Sequence, residues 1–241
     1  EAAGGIAPEV IVMDMADLSS VRQAARQCLA LARPVDVLLN NAAVVNTSRR
    51  ETVDGFEETL AVNHFAPFLL TGLLLPALQE AAAARIVNVA SDAHGLVRGM
   101  GFEDMQATGG YRTFREYGRS KLANALFSLE LADRLEGSAL SSNAIHPGLV
   151  QTNIARTAPA PIRTAFKLLG GVIAKTPAEG AATQLYVATN PALENVSGAY
   201  FEDCNPVKVS GAHHMTDKPM AEKLWQLAQE MTADYLIPWA L

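Results

Sequence analysis

The chain has 241 residues, 49% of them hydrophobic and 18% charged, with 17 Gly and 12 Pro. That length fits one α/β domain, and the composition excludes a disordered, collagenous or low-complexity protein. Nineteen Lys and Arg against 25 Asp and Glu leave a net charge of −6, the wrong sign for gripping nucleic acid or an anionic membrane.

Residues 10–14 (VIVMD) predict a first strand. Leu18, Val21, Ala25, Cys28, Leu29 and Ala32 then recur at helical spacing, with Asp17 or Ser19 as the cap. Pro34 breaks the pattern, and residues 35–39 (VDVLL) predict a second strand ending in Asn40-Asn41-Ala42-Ala43. A helical pattern over 55–79 holds the most apolar run, FAPFLLTGLLLPAL. At about 14 residues with two prolines, that run falls short of the roughly 20 a membrane span needs, and predicts a buried helix. Residues 85–90 predict a third strand, ending at Ser91, and 92–110 read as loop or lid. A helix over 113–135 follows, then a fourth strand over 140–145, closed by His146-Pro147-Gly148.

Residues 151–175 look irregular. Pro177 opens a helix over 177–189, residues 198–201 predict a last strand, and 220–234 a last amphipathic helix. Strands separated by helices of this length pair in parallel through right-handed crossovers, which predicts a single α/β domain over 1–241, doubly wound with helices on both faces. Cys28 and Cys204 match no metal spacing and predict reduced thiols in a cytoplasmic setting. His213-His214 lacks metal-ligand spacing, so no metal is expected.

Ligands of open parallel sheets bind beyond the carboxyl ends of the strands. Three predicted ends carry small or polar residues, at 40–43, Ser91 and Pro147-Gly148, and these converge although distant in sequence. Tyr117 and Lys121, four apart on one helix, share a face. An ammonium there is expected to lower the tyrosine pKa and make it a proton donor or acceptor near neutrality.

Taken together and in order, Asp14-Met15, NNAA at 40–43, VNH at 62–64, NVAS at 88–91, YGRSK at 117–121 and PGLVQT at 147–152 resemble the short-chain dehydrogenases/reductases. VNHFAPFLLT, YGRSKLANALFSLELADRL and GAYFEDC are most similar to the retinol-dehydrogenase-like branch. The resemblance implies a Rossmann-type sheet and an NAD(P)-dependent oxidoreductase that interconverts an alcohol and a carbonyl compound. It implies Tyr117 as general acid/base, Ser91 as partner of the carbonyl oxygen, Lys121 on the nicotinamide ribose, and Asn63 holding a proton-relay carbonyl and water. Cofactor contacts carried over are Asp14 and Met15 at the adenine, and Asn41, Ala42, Ala43 and Val62 along the adenosine. Pro147, Gly148, Val150 and Thr152 match the loop over the nicotinamide.

The branch implies NADP, with NAD as the alternative, a lipophilic small-molecule substrate, and a homodimer or homotetramer built on the helices at 55–79 and 113–135. The family's first strand–Gly-rich turn–helix has no counterpart here, so the first βαβ portion is expected to be missing from this chain. A non-catalytic relative that binds or scaffolds is the alternative this departure raises. Ala43 stands where the family has Gly, and Pro67 falls inside the Asn63 helix, where it either kinks the helix or sits in its first turn.

Overall fold

The computed structural model describes residues 8–150, 175–208, 214–235 and Trp239. Five strands form one sheet in the order β1-β2-β3-β4-β5: Val37–Asn40, Arg85–Val89, Ser141–His146, Tyr200–Glu202 and Asn205–Pro206. The first four pair in parallel, so every connection between them crosses a face of the sheet. β4 and β5 are instead antiparallel. Asp203 and Cys204 join them, both at positive φ (48° and 60°), as a two-residue hairpin demands. Neither residue is Gly or Asn, which is why the turn is absent from the sequence expectation.

The helices are α1 (Leu18–Leu29), α2 (Glu58–Leu60), α3 (Ala66–Gln79), α4 (Thr113–Arg134), α5 (Pro177–Thr189) and α6 (Lys218–Met231). Asp17 caps α1 by accepting from the N–H groups of Ser19 and Ser20. Thr176 and Glu179 form a reciprocal capping box on α5, with Pro177 in its first turn. One sheet face buries Val87, Val89, Ile145 and Phe201 against Val187 and Ala188 of α5. The other buries Ile86 and Ala144 in a cluster with Phe65, Phe68, Leu122, Leu126, Leu224 and Trp225. Helices thus cover both faces, and the architecture is the Rossmann-type α/β fold. The Leu stripes of α3 and α4 are consumed in this core.

Residues 10–14 are not a strand. No strand lies beside them among the described residues, and a β segment without a ladder partner has nowhere to place its backbone groups. Val10 and Val12 stand 81% and 85% exposed in consequence.

The single helix expected over 55–79 is interrupted. Between α2 and α3, Ala61–Phe65 form a π-helical turn whose five residues are all buried, and Asn63 is at its centre. Pro67 then enters the first turn of α3. Lacking an N–H, it cannot donate to the carbonyl of Asn63 four residues earlier. Insertions of this kind cluster at functional sites. The stretch Glu58–Gln79 is long and apolar enough to cross a membrane by length and composition, yet 78% of its most apolar 18-residue window is buried inside the fold, as expected of a core helix.

Candidate active site

The carboxyl ends of β1, β2 and β3 carry the polar residues to one rim, beginning with a buried ladder. Asn40 and Asn88 are opposite each other in the β1–β2 register. Asn40 Nδ2 donates to Asn88 Oδ1 (2.8 Å) and to Thr71 Oγ1 (3.1 Å), and Asn88 Nδ2 donates to Ser128 Oγ (2.8 Å). This chain of amides ties β1, β2, α3 and α4 together beneath the rim. Such bonds are worth most where no water competes.

Above the ladder, α4 brings its YGRSK segment against the turn that follows β2. Ser91 is extended and caps the short helical turn Asp92–Leu96, its Oγ accepting from the Ala93 N–H at 3.2 Å. The Tyr117 phenol stands beside the Ser91 side chain, near enough for the serine to ease its ionisation. Gly118 makes that meeting possible, because a Cβ there would lie 2.6 Å from the Ala93 carbonyl oxygen. Gly118→Ala gains about 1 kcal/mol of helix propensity but forces α4 and the Ser91 turn apart, an overpacking cost of about 1–3 kcal/mol. The expected result is a slightly lower melting temperature with at least a tenfold loss of turnover, read by thermal unfolding and kcat on one preparation.

Lys121 is 1% exposed, and its Nζ donates to the Val89 carbonyl at 2.9 Å. The same carbonyl accepts from Asn124 Nδ2 at 3.1 Å. Nζ stands 5.6 Å from the centre of the Tyr117 ring. Asn63, 0% exposed, clamps the neighbouring segments: its Oδ1 accepts from the Val44 N–H, and its Nδ2 donates to the Val44 carbonyl and to Ser120 Oγ. Ser120 in turn donates to the Tyr117 carbonyl. Ser91, Tyr117, Lys121 and Asn63 therefore form one assembly.

The expected electrostatics are corrected. Burial pushes Tyr117 up to about 12, and the neighbouring Ser91 side chain offsets only part of that. Burial brings Lys121 down to about 8. The lysine's single resolved bond goes to a backbone carbonyl, so desolvation dominates both groups and the phenol is fully protonated at neutral pH.

The other expected contacts are spread along the same edge. Asn41 and Ala42 are exposed, and Asn41 Oδ1 accepts from Gln184 Nε2 on α5. Ala43 has no positive φ, so the missing glycine strains nothing. Val62 is buried in the π turn. Asp14 is exposed and its Oδ1 accepts from the Ala16 N–H, while Met15 packs on the Leu18–Val21 cluster. Gly148 does adopt the left-handed region (φ 81°), and a Cβ there would strike the Lys175 side chain. Val150 bridges to Lys175, whose N–H donates to the Leu149 carbonyl. Thr152 and His213 lie outside the described residues.

Several residues that hold the site carried no signal in the pattern. Arg119, the central residue of YGRSK, is 5% exposed and ion-paired to buried Glu116. Its guanidinium also donates to the carbonyls of Met100, Gly101 and Asp104, which fixes the 92–110 segment as packed turns with Met100 and Met105 in the core. His146 does more than end β3: its Nε2 lies 3.2 Å from Asp92 Oδ2. Glu202 completes a trio whose side-chain ligand atoms fall within 4.8 Å of one another, with the imidazole Nε2 turned to the Asp92 carboxylate. A cleft of about 630 Å³ opens at the amino end of the sheet, lined by Asp133, Glu136, Ser141 and Lys218, remote from all these side chains.

A doubly wound sheet with serine, tyrosine and lysine gathered over its carboxyl edge defines a class, the oxidoreductases that work with a nicotinamide dinucleotide. Residues 2–162 match the family described as short chain dehydrogenase. The chain belongs to that family and is, in general terms, an NAD(P)-dependent oxidoreductase. Among curated relatives, retinol dehydrogenase 14 of Mus musculus is 41% identical over 238 residues, covering 95% of this chain and 70% of that protein. A crystal structure of an uncharacterised protein from Mycobacterium paratuberculosis matches with a TM-score of 0.69 at 33% identity, over 92% of this chain and 74% of that one. A dehydrogenase structure from Beutenbergia cavernae, solved with bound NADP, matches with a TM-score of 0.61 at 28% identity, over 83% and 76%. These relatives lend no support to the cytoplasmic location expected from the cysteines.

Proposed function

We propose that the protein reduces a lipophilic aldehyde or ketone to its alcohol with NADPH. Tyr117 is the proton donor to the carbonyl oxygen, and Ser91 is the second hydrogen-bond partner of that oxygen as charge develops on it. The observation that carries this reading is the meeting of Ser91 and Tyr117, 26 positions apart in sequence, where α4 packs closely on the turn that follows β2. A phenol held near 12 is fully protonated at neutral pH, the form that reduction uses, and the phenolate that oxidation needs is scarce.

The residues present fit the nicotinamide end of the cofactor. Lys121 has two N–H groups beyond the one given to Val89, enough to hold a ribose. Gly148 takes the left-handed turn of the loop beside it, with the Lys175 side chain packed against its α-carbon. Asn63, whose carbonyl receives no donor from Pro67, suits a water relay to Lys121. Asp14, Met15, Asn41, Ala42, Ala43 and Val62 would line the adenosine side, and Pro147, Gly148, Val150 and Thr152 the nicotinamide side. The dinucleotide supplies the hydride when bound.

Leu96, Phe114 and Leu149, each more than half exposed, sit on the three segments that carry Ser91, Tyr117 and Gly148, an apolar approach suited to a long hydrocarbon substrate. The mouse relative is named for retinol. Self-association as a dimer or tetramer is part of the same reading, and sedimentation velocity measures it directly. The test of the reaction is incubation with retinal and deuterated NADPH. Deuterium on the carbinol carbon of the product is the expected result; no NADPH-dependent alcohol formation would reject the reading.

A further inference from the structure

The last residue of β3, His146, is 8% exposed and spends both ring nitrogens on one neighbour. Nδ1 accepts from the Asp92 N–H at 3.4 Å, and Nε2 lies 3.2 Å from Asp92 Oδ2. A neutral imidazole carries one proton, and a nitrogen facing an N–H must be the bare one. The ring is therefore the Nε2–H tautomer, donating to the Asp92 carboxylate.

Asp92 directly follows Ser91, and Pro147-Gly148 directly follow His146. One ring thus spans the two loops that leave adjacent strands at the rim. Ser91 Oγ accepts from the Ala93 N–H, and Tyr117 stands beside it. The backbone between Ser91 and Ala93 is that of Asp92, which the imidazole grips by both its N–H and its side chain.

We propose that His146 is a positioning residue, whose two bonds to Asp92 hold the Ser91 turn at a set spacing from the Pro147-Gly148 loop. The proposal rests on the carbonyl reduction proposed above, and it fails separately. Its consequence is a conformational dependence on protonation. A proton on Nδ1 would set two donors face to face and release the Asp92 N–H. Burial lowers the pKa of the ring; Asp92 opposes this, as do Glu202 and Asp203 from β4 and its turn, while Lys175 from the start of α5 adds to it. Tyr200 of β4 stands beside the same carboxylates as a neutral phenol. The neutral ring therefore prevails at pH 7, and the grip is lost on the acid side, below the ordinary histidine value of about 6.5.

The test compares the unmutated protein with His146→Leu and His146→Asn. Asn can offer Oδ1 where Nδ1 was, accepts the Asp92 N–H, and does not titrate. Nitrogen-15 spectra of histidine-labelled protein should show the Nε2–H tautomer for the resonance missing in both variants. Hydrogen exchange at the Asp92 amide should accelerate at least tenfold in His146→Leu and recover in His146→Asn. With retinal, kcat should fall about tenfold or more in His146→Leu with KM little changed. His146→Asn should regain most of that kcat and lose the acid-side decline of kcat/KM between pH 7 and 5.

An Nδ1–H tautomer, or Asp92 exchange indifferent to both variants, overturns the proposal whether or not the protein turns over retinal. Unchanged kcat in His146→Leu, or an intact acid limb in His146→Asn, overturns it in an active enzyme. An unmutated protein that shows the tautomer and the exchange pattern but no retinal reduction counts against the proposed reaction instead.

Discussion

Replacing the hydroxyl of Tyr117 with hydrogen, in Tyr117→Phe, should lower turnover by about 10³-fold or more, equivalent to about 4 kcal/mol of transition-state stabilisation. The ring itself keeps its packing, so the fold and the Ser91 turn persist. Dinucleotide affinity should stay within a few-fold, because the proposed ribose contact belongs to Lys121. Burial holds the phenol near 12, which makes the direction of reaction matter. Reduction needs the protonated form, present across the whole neutral range, so this group contributes no alkaline decline between pH 6 and 9. Oxidation of the alcohol needs phenolate, scarce at pH 7, so its rate should climb with pH over the same interval. Steady-state kinetics in both directions, with calorimetric titration of NADPH into the variant, tests all three statements. A Tyr117→Phe protein retaining a tenth of the activity would remove the phenol from the chemistry.

The parts of the fold legible in the sequence were those whose period is strong and whose partners are local. The apolar β2 run and the proline-led α5 fall within a residue or two of where their patterns place them, and the capped α1 starts on its pattern and ends at Leu29, three residues short of Ala32. The parallel sheet follows because helices intervene between strands, whatever the strand bounds. What failed was dependent on a neighbour. Residues 10–14 have the composition of a strand, yet no strand lies beside them among the described residues, and composition alone carries no information on pairing. The π turn at Asn63 comes from a register change that no apolar spacing encodes, although Pro67 four residues on was a usable hint.

At the site, a strand end and one helix face were enough to bring Ser91, Tyr117 and Lys121 together, whereas Asn63, inside the π turn, was reached only through the family resemblance. Their electrostatics were not legible. The Tyr-x-x-x-Lys spacing says that phenol and ammonium share a face, and it is silent on burial, which here outweighs the attraction. Arg119 shows the same limit from the other side. An arginine in a helix reads as a solvated charge, and only the loop carbonyls folded around it reveal a buried anchor.

The burial of Lys121 gives the last expectation, a trade of stability for function. An amine whose pKa falls from 10.5 to about 8 on folding costs the folded protein about 3 kcal/mol at pH 7, where it is held charged out of water. Lys121→Met keeps the hydrocarbon volume and removes that cost. The lost bond to Val89 is worth about 1 kcal/mol, and the carbonyl retains Asn124 as a donor. The variant should therefore be more stable by about 1–2 kcal/mol, raising the melting temperature by a few degrees, while turnover falls by about 10²-fold or more with the loss of the proposed ribose contact. The sign of the pH dependence follows from proton counts. Between pH 8 and 10.5 the unfolded chain holds a proton on this lysine that the folded chain has released, so the unmutated protein gains stability as pH rises through that window. Lys121→Met lacks this slope. Denaturant titrations from pH 7 to 9.5 separate the two cases and stay below the range where Tyr111, Tyr117, Tyr200 and Tyr235, all raised in the folded protein, tilt stability the other way. A variant less stable than its parent at pH 7, with the slope unchanged, would mean that Lys121 is held neutral or solvated, and that the desolvated amine is not the feature this site was built around.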